Sequence, residues 1–180
     1  MKTFIALTFL GILTYAYANS SGLTKCKPRQ AMTDFDAPRF FTGEWCVSHV
    51  QKRATRSVCQ PLSALTSSEG KYALNYTEVN RKKEPTIVQC KGEEGAEQKF
   101  TFKCTKTGSK STTDAVAAII DTDYDDYALF YWCFPVSSKN IRENYLVLRR
   151  QNRCKNGIPE NLSNSTIGFK SCEKLKTVRS

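Results

Sequence analysis

The feature that most constrains this chain is a set of eight cysteines, all of which follow a short apolar leader. The chain begins MKTFIALTFLGILTYAYA, where Lys2 precedes an apolar run from Phe4 to Leu13 and Ala16-Tyr17-Ala18 forms a small-x-small cleavage signal. This pattern is typical of a secretory signal peptide, and the run is shorter than the roughly 20 residues that span a membrane. We therefore expect residues 1–18 to be removed and residues 19–180 to form one secreted domain in an oxidising compartment.

In an oxidising compartment, an even number of cysteines predicts that all of them form disulfides. Eight cysteines can pair in on the order of a hundred ways, so the count alone leaves the connectivity open. Zinc binding is the alternative, but the chain has no CxxC pair and its one histidine is His49, which disfavours zinc. We therefore expect no metal site. The cysteines are Cys26, Cys46, Cys59, Cys90, Cys104, Cys133, Cys154 and Cys172.

The charge of the chain limits the classes of partner. The formal net charge is +10, and it becomes +9 when Lys2, the one charged residue of the leader, is removed. A distributed positive field favours anionic partners, although solubility alone is an equally good explanation. Nucleic acid is disfavoured because a secreted chain seldom meets it and no nucleic-acid-binding motif is present. We expect no membrane partner, and we interpret the basic run Arg81-Lys82-Lys83 as a solvated loop.

The hydrophobic pattern predicts an all-β domain. Seven segments alternate or are rich in β-branched and aromatic residues, and turn-like stretches such as GEEGAE and KTGSKS separate them. We place an eighth strand within residues 80–112 and a short helix in the tail from Pro159 to Lys176. Strands at such short intervals suggest an antiparallel barrel or a sandwich. A mature chain of 162 residues (19–180) with about eight strands suits a single barrel, which has room for one small ligand. The predicted strands are Gly43–Val50, Lys71–Val79, Thr86–Lys91, Gln98–Thr105, Thr113–Asp121, Tyr127–Phe134 and Asn144–Arg150.

Three short motifs resemble the signatures of the lipocalins. They are Gly43-x-Trp45 on the first strand, Thr122-Asp123-Tyr124 in the turn before the Tyr127 strand, and Arg150 at the end of the last strand. The leader, the cysteine layout and the ending are similar to those of the salivary lipocalins of blood-feeding triatomine bugs, the triabin, pallidipin and nitrophorin types. The resemblance implies a disulfide-rich, eight-stranded antiparallel lipocalin-type (calycin) barrel with a short C-terminal helix.

The resemblance also implies a pattern of disulfides. In this family an early cysteine bonds the seventh strand and a second cysteine bonds the C-terminal tail. The first and last strands of such a barrel are antiparallel neighbours, which brings together a third pair and leaves the last pair to bridge a hairpin. The threading of the early strands stays open, because triabin-like chains differ there from ordinary lipocalins. The expected pairs are Cys26–Cys133, Cys59–Cys172, Cys46–Cys154 and Cys90–Cys104.

Alternation along the strands suggests which residues line the barrel. Asn75 lies in an N-glycan sequon, so a glycan there would place Leu74 and Tyr76 inside; Asn161 and Asn164 begin two further sequons. If Cys133 bonds a segment outside the barrel, its neighbours Phe130, Trp132 and Phe134 face inward. We assign Arg150 a structural cation–π contact with Trp45, so that Arg149 and Tyr145, of opposite parity, become ligand candidates. The candidate ligand-binding residues are His49, Leu74, Tyr76, Phe130, Trp132, Tyr145 and Arg149.

Other site classes are disfavoured. The carboxylates from Asp121 onwards resemble the start of a calcium loop, but its sixth position is Asp126 rather than Gly and its twelfth is Trp132 rather than Glu. We therefore interpret residues 122–127 as a tight turn at the closed end of the barrel, away from the ligand. Nitrophorins hold haem through a histidine, and the corresponding stretch, residues 71–76, has none, so we expect no haem or other cofactor. A single histidine without a placed carboxylate or nucleophile makes no catalytic triad, and we expect a binding protein rather than an enzyme.

These features predict a secreted, monomeric salivary lipocalin that sequesters a small anionic or amphipathic host mediator and so impairs platelet aggregation and haemostasis. An ADP-like nucleotide and an eicosanoid both suit an aromatic pocket with a basic mouth, and the sequence does not separate them. The alternative is a triabin-like inhibitor that blocks a coagulation protease or contact activation through the barrel surface. An open, lined cavity would favour the first function, and a filled, narrow barrel the second.

Overall fold

The computed structural model describes residues 23–52, 59–67, 70–79, 84–137 and 140–173. The predicted leader and the basic run 81–83 lie outside these ranges. Eight antiparallel strands close into a barrel, and a two-residue strand from the tail joins the edge of β1. The strands are β1 Gly43–Val50, β2 Pro61–Thr66, β3 Tyr72–Val79, β4 Pro85–Glu94, β5 Lys99–Lys106, β6 Thr112–Thr122, β7 Tyr127–Pro135, β8 Ile141–Arg150 and β9 Lys170–Ser171.

The barrel has simple up-and-down topology. Each strand from β1 to β8 pairs with its neighbours in sequence, and β1 closes the barrel by pairing with both β2 and β8. This order answers the question of threading that the sequence left open. The placement of the eighth strand within residues 80–112 was wrong, because that range holds β4 and β5 and the unpredicted strand is β2. β2 begins at a proline and buries only Leu62 and Ala64, so its sequence carries little strand pattern.

Short helical turns close one end of the barrel and occupy the tail. The helix α1, Ala37–Phe40, begins where the Asp36 carboxylate accepts a hydrogen bond of 3.1 Å from the backbone N–H of Arg39. This turn delivers Phe40 and Phe41, both fully buried, into the barrel. The tail forms 3₁₀ turns at Glu160–Leu162 and Asn164–Thr166, and residues 172–173 are helical. Within the described ranges, no helix has both the length and the apolar character needed to cross a bilayer.

Strand alternation separates two hydrophobic layers. The inner layer fills the closed half of the barrel with aromatic rings, in which Phe41 contacts Phe40, Tyr72 and Phe100 at centroid distances of 4.6–5.1 Å. The outer layer lies between the outward faces of β6–β8 and the two terminal segments, which contribute residues such as Leu23 and Leu162. The terminal segments therefore cover one side of the barrel.

Four disulfides tie the terminal segments and strands together. One joins the N-terminal segment to β7, a second joins Cys59, two residues before β2, to the tail, and a third joins β1 to the turn after β8. Each of these three spans more than 100 residues, for which the chain-entropy model gives a stabilisation of about 4–5 kcal/mol. The fourth links opposite residues of β4 and β5 inside the barrel. The pairs are those expected from the sequence, Cys26–Cys133, Cys59–Cys172, Cys46–Cys154 and Cys90–Cys104.

Candidate ligand cavity at the open end of the barrel

The closed end of the barrel is sealed around Trp45. This ring is fully buried, and its Nε1 donates a hydrogen bond of 3.2 Å to the carbonyl of Phe40. The guanidinium carbon of Arg150 lies 3.7 Å from the ring centroid, and its Nε and Nη1 donate to the carbonyls of Tyr124 and Thr42 at 2.8 and 2.5 Å. Burial lowers the pKa of Arg150, although an arginine stays charged at any ordinary pH. The end of the barrel that carries the motif residues is therefore occupied by structural contacts.

The acidic segment before β7 is a turn held by its own side chains. The Thr122 hydroxyl accepts a hydrogen bond of 2.9 Å from the N–H of Tyr124 and donates one of 2.6 Å to the carbonyl of Tyr127. The Asp123 carboxylate accepts hydrogen bonds of 2.9 Å from the N–H groups of Asp126 and Tyr127. Among the described residues, no group of three or more His, Cys, Asp or Glu side chains is arranged to hold a metal ion. The Asp123 carboxylate therefore serves the turn, while those of Asp125 and Asp126 pair with Arg39 and with Arg149 and Arg153.

Two adjoining cavities occupy the open end of the barrel. The first has a volume of about 80 Å³ and an almost wholly apolar wall, to which Gln60 contributes an amide. The second has a volume of about 120 Å³ and a mixed wall that includes Glu78 and Lys106. Tyr76 and Trp132 line both, with ring centroids 6.4 Å apart in an edge-to-face arrangement, and so form a partition between them. The first cavity is otherwise lined by Val47, Leu62, Leu74, Phe130 and Leu146, and the second by Val88, Cys104, Ser111, Thr113, Ala115 and Phe134.

The structure places four of the seven candidate residues at these walls. Leu74 and Tyr76 of β3 and Phe130 and Trp132 of β7 face inward, as strand alternation predicts. Burial, and secondarily the charge of Glu78, raises the pKa of Tyr76 to about 12. Its phenol is therefore a neutral hydrogen-bond donor at physiological pH.

His49 lies on the outer face of β1, contrary to the prediction. The register between β1 and β8 shifts between Val47 and His49, so that Ser48 is the extra residue of a β-bulge. An extra residue reverses the alternation that follows it, and Val50 rather than His49 joins the inner core. The imidazole instead lies beside the tail, where His49 pairs with Ser171 of β9 and its Nδ1 is 3.2 Å from the Ser48 hydroxyl.

Tyr145 and Arg149 also face outward and do not line the cavities. The Tyr145 hydroxyl accepts a hydrogen bond of 2.7 Å from the backbone N–H of Arg29 in the N-terminal segment. The Arg149 side chain is 6% exposed, with Nη1 3.3 Å from the Asp126 carboxylate. The prediction gave Arg150 a structural role and took the residues of opposite parity as ligand candidates. Arg150 continues the inner row of β8 and covers the closed end from that side, which leaves the alternate positions to the outer face.

Two charged residues of the second cavity, Glu78 and Lys106, were not among the predicted site residues. Glu78 follows Tyr76 by two positions on β3, and Lys106 follows the inward Cys104 by two on β5. Extending the same alternation toward the open end would have found both. Their carboxylate and ammonium groups form an ion pair at 2.5 Å.

The three predicted sequons lie outside the cavities. Asn75 is on the outward face of β3, opposite Ser63 of β2 and Gln89 of β4. Asn161 and Asn164 are exposed in the 3₁₀ turns of the tail. Glycans at these positions would therefore leave the mouth of the barrel accessible.

Comparisons with known proteins place this arrangement in a family. The family model described as Triabin matches residues 20–165. The chain belongs to the triabin family. Procalin of Hospesneotomae protracta is 33% identical over 179 residues, covering 96% of this chain and 99% of procalin. Triabin of Meccus pallidipennis is 33% identical over 153 residues, covering 83% of this chain and 92% of triabin.

Triabin-family membership agrees with the fold, and a solved structure adds a ligand-bound comparison. The crystal structure of LTBP1 with LTC4, leukotriene C4, has a TM-score of 0.64 and 28% sequence identity, and the match covers 79% of this chain and 88% of LTBP1. The relatives are salivary lipocalins of triatomine bugs, and their fold is that of ligand-binding proteins.

Proposed function

We propose that this protein is secreted in saliva as a monomer and sequesters a small amphipathic anion of the eicosanoid class, thereby reducing platelet aggregation in the host. The observation that carries the proposal is the pair of adjoining cavities, one almost wholly apolar and one containing the ammonium of Lys106. A hydrocarbon chain gains about 0.8 kcal/mol for each buried CH₂ group. A carboxylate is held best by a cation and hydroxyl donors. Both requirements are met within one opening.

A nucleotide fits these walls less well than an eicosanoid does. A buried purine needs hydrogen-bond partners along its edge, and a diphosphate needs several cations. The first cavity offers the amide of Gln60, and in the second Lys106 already faces Glu78. The 28% identity to LTBP1, whose structure contains a leukotriene, also favours the eicosanoid.

The size of the cavities sets a condition on binding. Each is smaller than the few hundred Å³ that ligand sites usually occupy. A chain as long as an eicosanoid must therefore enter both and turn the ring of Tyr76 or Trp132 aside. Side-chain rotations of this kind are common on binding, and an edge-to-face pair at 6.4 Å is a weak barrier to them.

Intrinsic fluorescence and calorimetry together test this proposal. The chain has two tryptophans, of which Trp132 lines the cavities and Trp45 is enclosed at the closed end. We expect arachidonic acid or a thromboxane analogue, each with a single carboxylate, to change the emission of the wild type. The Trp132→Phe variant should lose that change and still release heat on binding, while ADP gives neither signal. Absence of binding by every eicosanoid at micromolar concentration contradicts the proposal.

Inhibition of a coagulation protease or of contact activation through the barrel surface is the second candidate. The filled closed half of the barrel and the small cavities favour it, since they limit the room for a ligand. A clotting assay and a platelet-aggregation assay with the same preparation separate the two functions. Prolonged clotting without heat of binding to any small ligand would support the surface inhibitor.

A further inference from the structure

An ion pair stands inside the second cavity, among side chains that are otherwise apolar or carry hydroxyl groups. Glu78 ends the inner row of β3, and Lys106 ends the inner row of β5. The two reach across β4, above Val88, which is paired with both Tyr76 and Lys106. Their side chains are 36% and 55% exposed, so the pair lies at the rim, where an entering ligand would meet it.

We propose that Lys106 recognises the anionic head group of the ligand and that Glu78 is an internal counterion which the ligand displaces. This assignment rests on the proposed function and adds to it the residues that select charge. Without ligand, the two charges neutralise each other at the rim of the cavity. With ligand, a carboxylate takes the place of Glu78 on the ammonium, and Glu78 turns to water.

The exchange is favourable because little is lost when the resident pair breaks. A half-exposed ion pair contributes little to stability, since water solvates both partners well. The Thr113 hydroxyl and the neutral Tyr76 phenol line the same wall and can donate to the incoming carboxylate. The head group would then lie beside the Tyr76–Trp132 partition, which is the entrance to the apolar cavity for the hydrocarbon tail.

The exchange also explains the charge that the site prefers. A ligand with one carboxylate takes the place of Glu78 beside Lys106 and neutralises the ammonium. The charge of Glu78 is then solvated by water. A ligand with several negative charges would be repelled by the displaced Glu78, and an amine would be repelled by Lys106. The geometry therefore selects a single carboxylate on an apolar chain.

Arachidonic acid and its methyl ester are suitable probes, since they share a hydrocarbon chain and differ in charge. We expect the wild type to bind the acid about tenfold more tightly than the ester, and Lys106→Met to remove that preference by weakening the acid alone. Glu78→Gln, which removes the competing charge, should tighten binding of the acid about threefold. Lys103→Met is the matched control, because Lys103 is on the outward face of the same strand, paired with Asp114 at 3.1 Å, and should change nothing.

The possible results distinguish the head-group assignment from the proposed function on which it rests. Equal affinities of Lys106→Met and Lys103→Met for the acid, with binding of acid and ester intact, overturn the head-group assignment and leave the proposed function standing. Failure of the wild type to bind either probe overturns the head-group assignment, and failure to bind every eicosanoid overturns the proposed function as well. The thermal unfolding temperature of each variant shows that it is folded, and if Lys106→Met fails to fold, the threefold gain expected for Glu78→Gln decides the question.

Discussion

Replacing Arg150 with methionine tests how the closed end of the barrel is held together. The guanidinium donates hydrogen bonds to three backbone carbonyls and covers the ring of Trp45. Methionine retains apolar volume but has neither the charge nor the donors. A hydrogen bond from a charged donor contributes about 1.5–3 kcal/mol, and an exposed cation–π contact about 0.5–1 kcal/mol. Two of the three bonds are exposed, so water replaces the lost donor there, and we count in full only the bond to Tyr124.

The expected loss of stability is therefore about 2–4 kcal/mol. For a domain of this size, each kcal/mol lowers the melting temperature by about 2–4 °C, so Arg150→Met should melt roughly 5–15 °C lower when the disulfides are intact. Circular dichroism during heating measures the shift. The matched control is Arg142→Met, because Arg142 is exposed and its guanidinium is 5.7 Å from the Phe134 ring. Equal melting temperatures for the two variants would refute the structural role of Arg150.

Three further outcomes follow from the core, from one carboxylate and from one sequon. Phe41 is fully buried against four aromatic rings, so Phe41→Ala should lower the free energy of unfolding by about 3–5 kcal/mol in guanidinium titrations. A hydrogen bond from Lys52 is the main cause that lowers the pKa of Glu143 below its ordinary value of 4.5. As the pH falls, the unfolded chain therefore binds this proton before the folded chain does. The stabilisation by Glu143 is complete above its ordinary pKa of 4.5 and is lost as the pH falls below it. We expect the free energy of unfolding to depend less on pH between pH 6 and pH 3 in Glu143→Gln. Protein secreted by insect cells should lose mass on glycosidase treatment, and Asn75→Gln should lack one glycan; an unchanged mass loss would contradict use of that sequon.

The strands with long inward rows could be predicted from the sequence, and the short strand could not. In β7, Phe130 and Trp132 face the interior of the barrel and Cys133 faces outward. This alternation is the pattern of a strand with both faces buried. β2 contributes six residues, of which Leu62 and Ala64 are buried, and its pairing with β1 and β3 makes it a strand. Its stability comes from pairing with β1 and β3, which the pattern within its own six residues does not contain.

The errors in the candidate site arose in assigning residues to the inner or outer face of a strand. Alternation assigns faces correctly only while the register is unbroken and the reference residue is placed on the right side. The bulge at Ser48 breaks the register of β1 and turns His49 outward. On β8 the candidates were taken from the parity opposite to that of Arg150, but Arg150 itself continues the inner row, so Tyr145 and Arg149 face outward. Glu78 and Lys106 needed no information beyond the alternation that found Tyr76, but they look like ordinary surface charges in the sequence.

The motifs that identify the family do not identify the ligand, because the motif residues and the ligand-binding residues lie at opposite ends of the barrel. Trp45, Arg150 and the Thr122–Tyr127 turn seal the closed end, where their contacts are with one another and with the backbone. The partition of Tyr76 and Trp132 lies at the open end. Relatives can therefore share every motif residue and still bind different molecules. Substitutions in the parts of β3, β5 and β7 that line the open end leave the contacts at the closed end intact. It follows that exchanging the charges of Glu78 and Lys106 should alter ligand preference without altering the melting temperature that Arg150 controls.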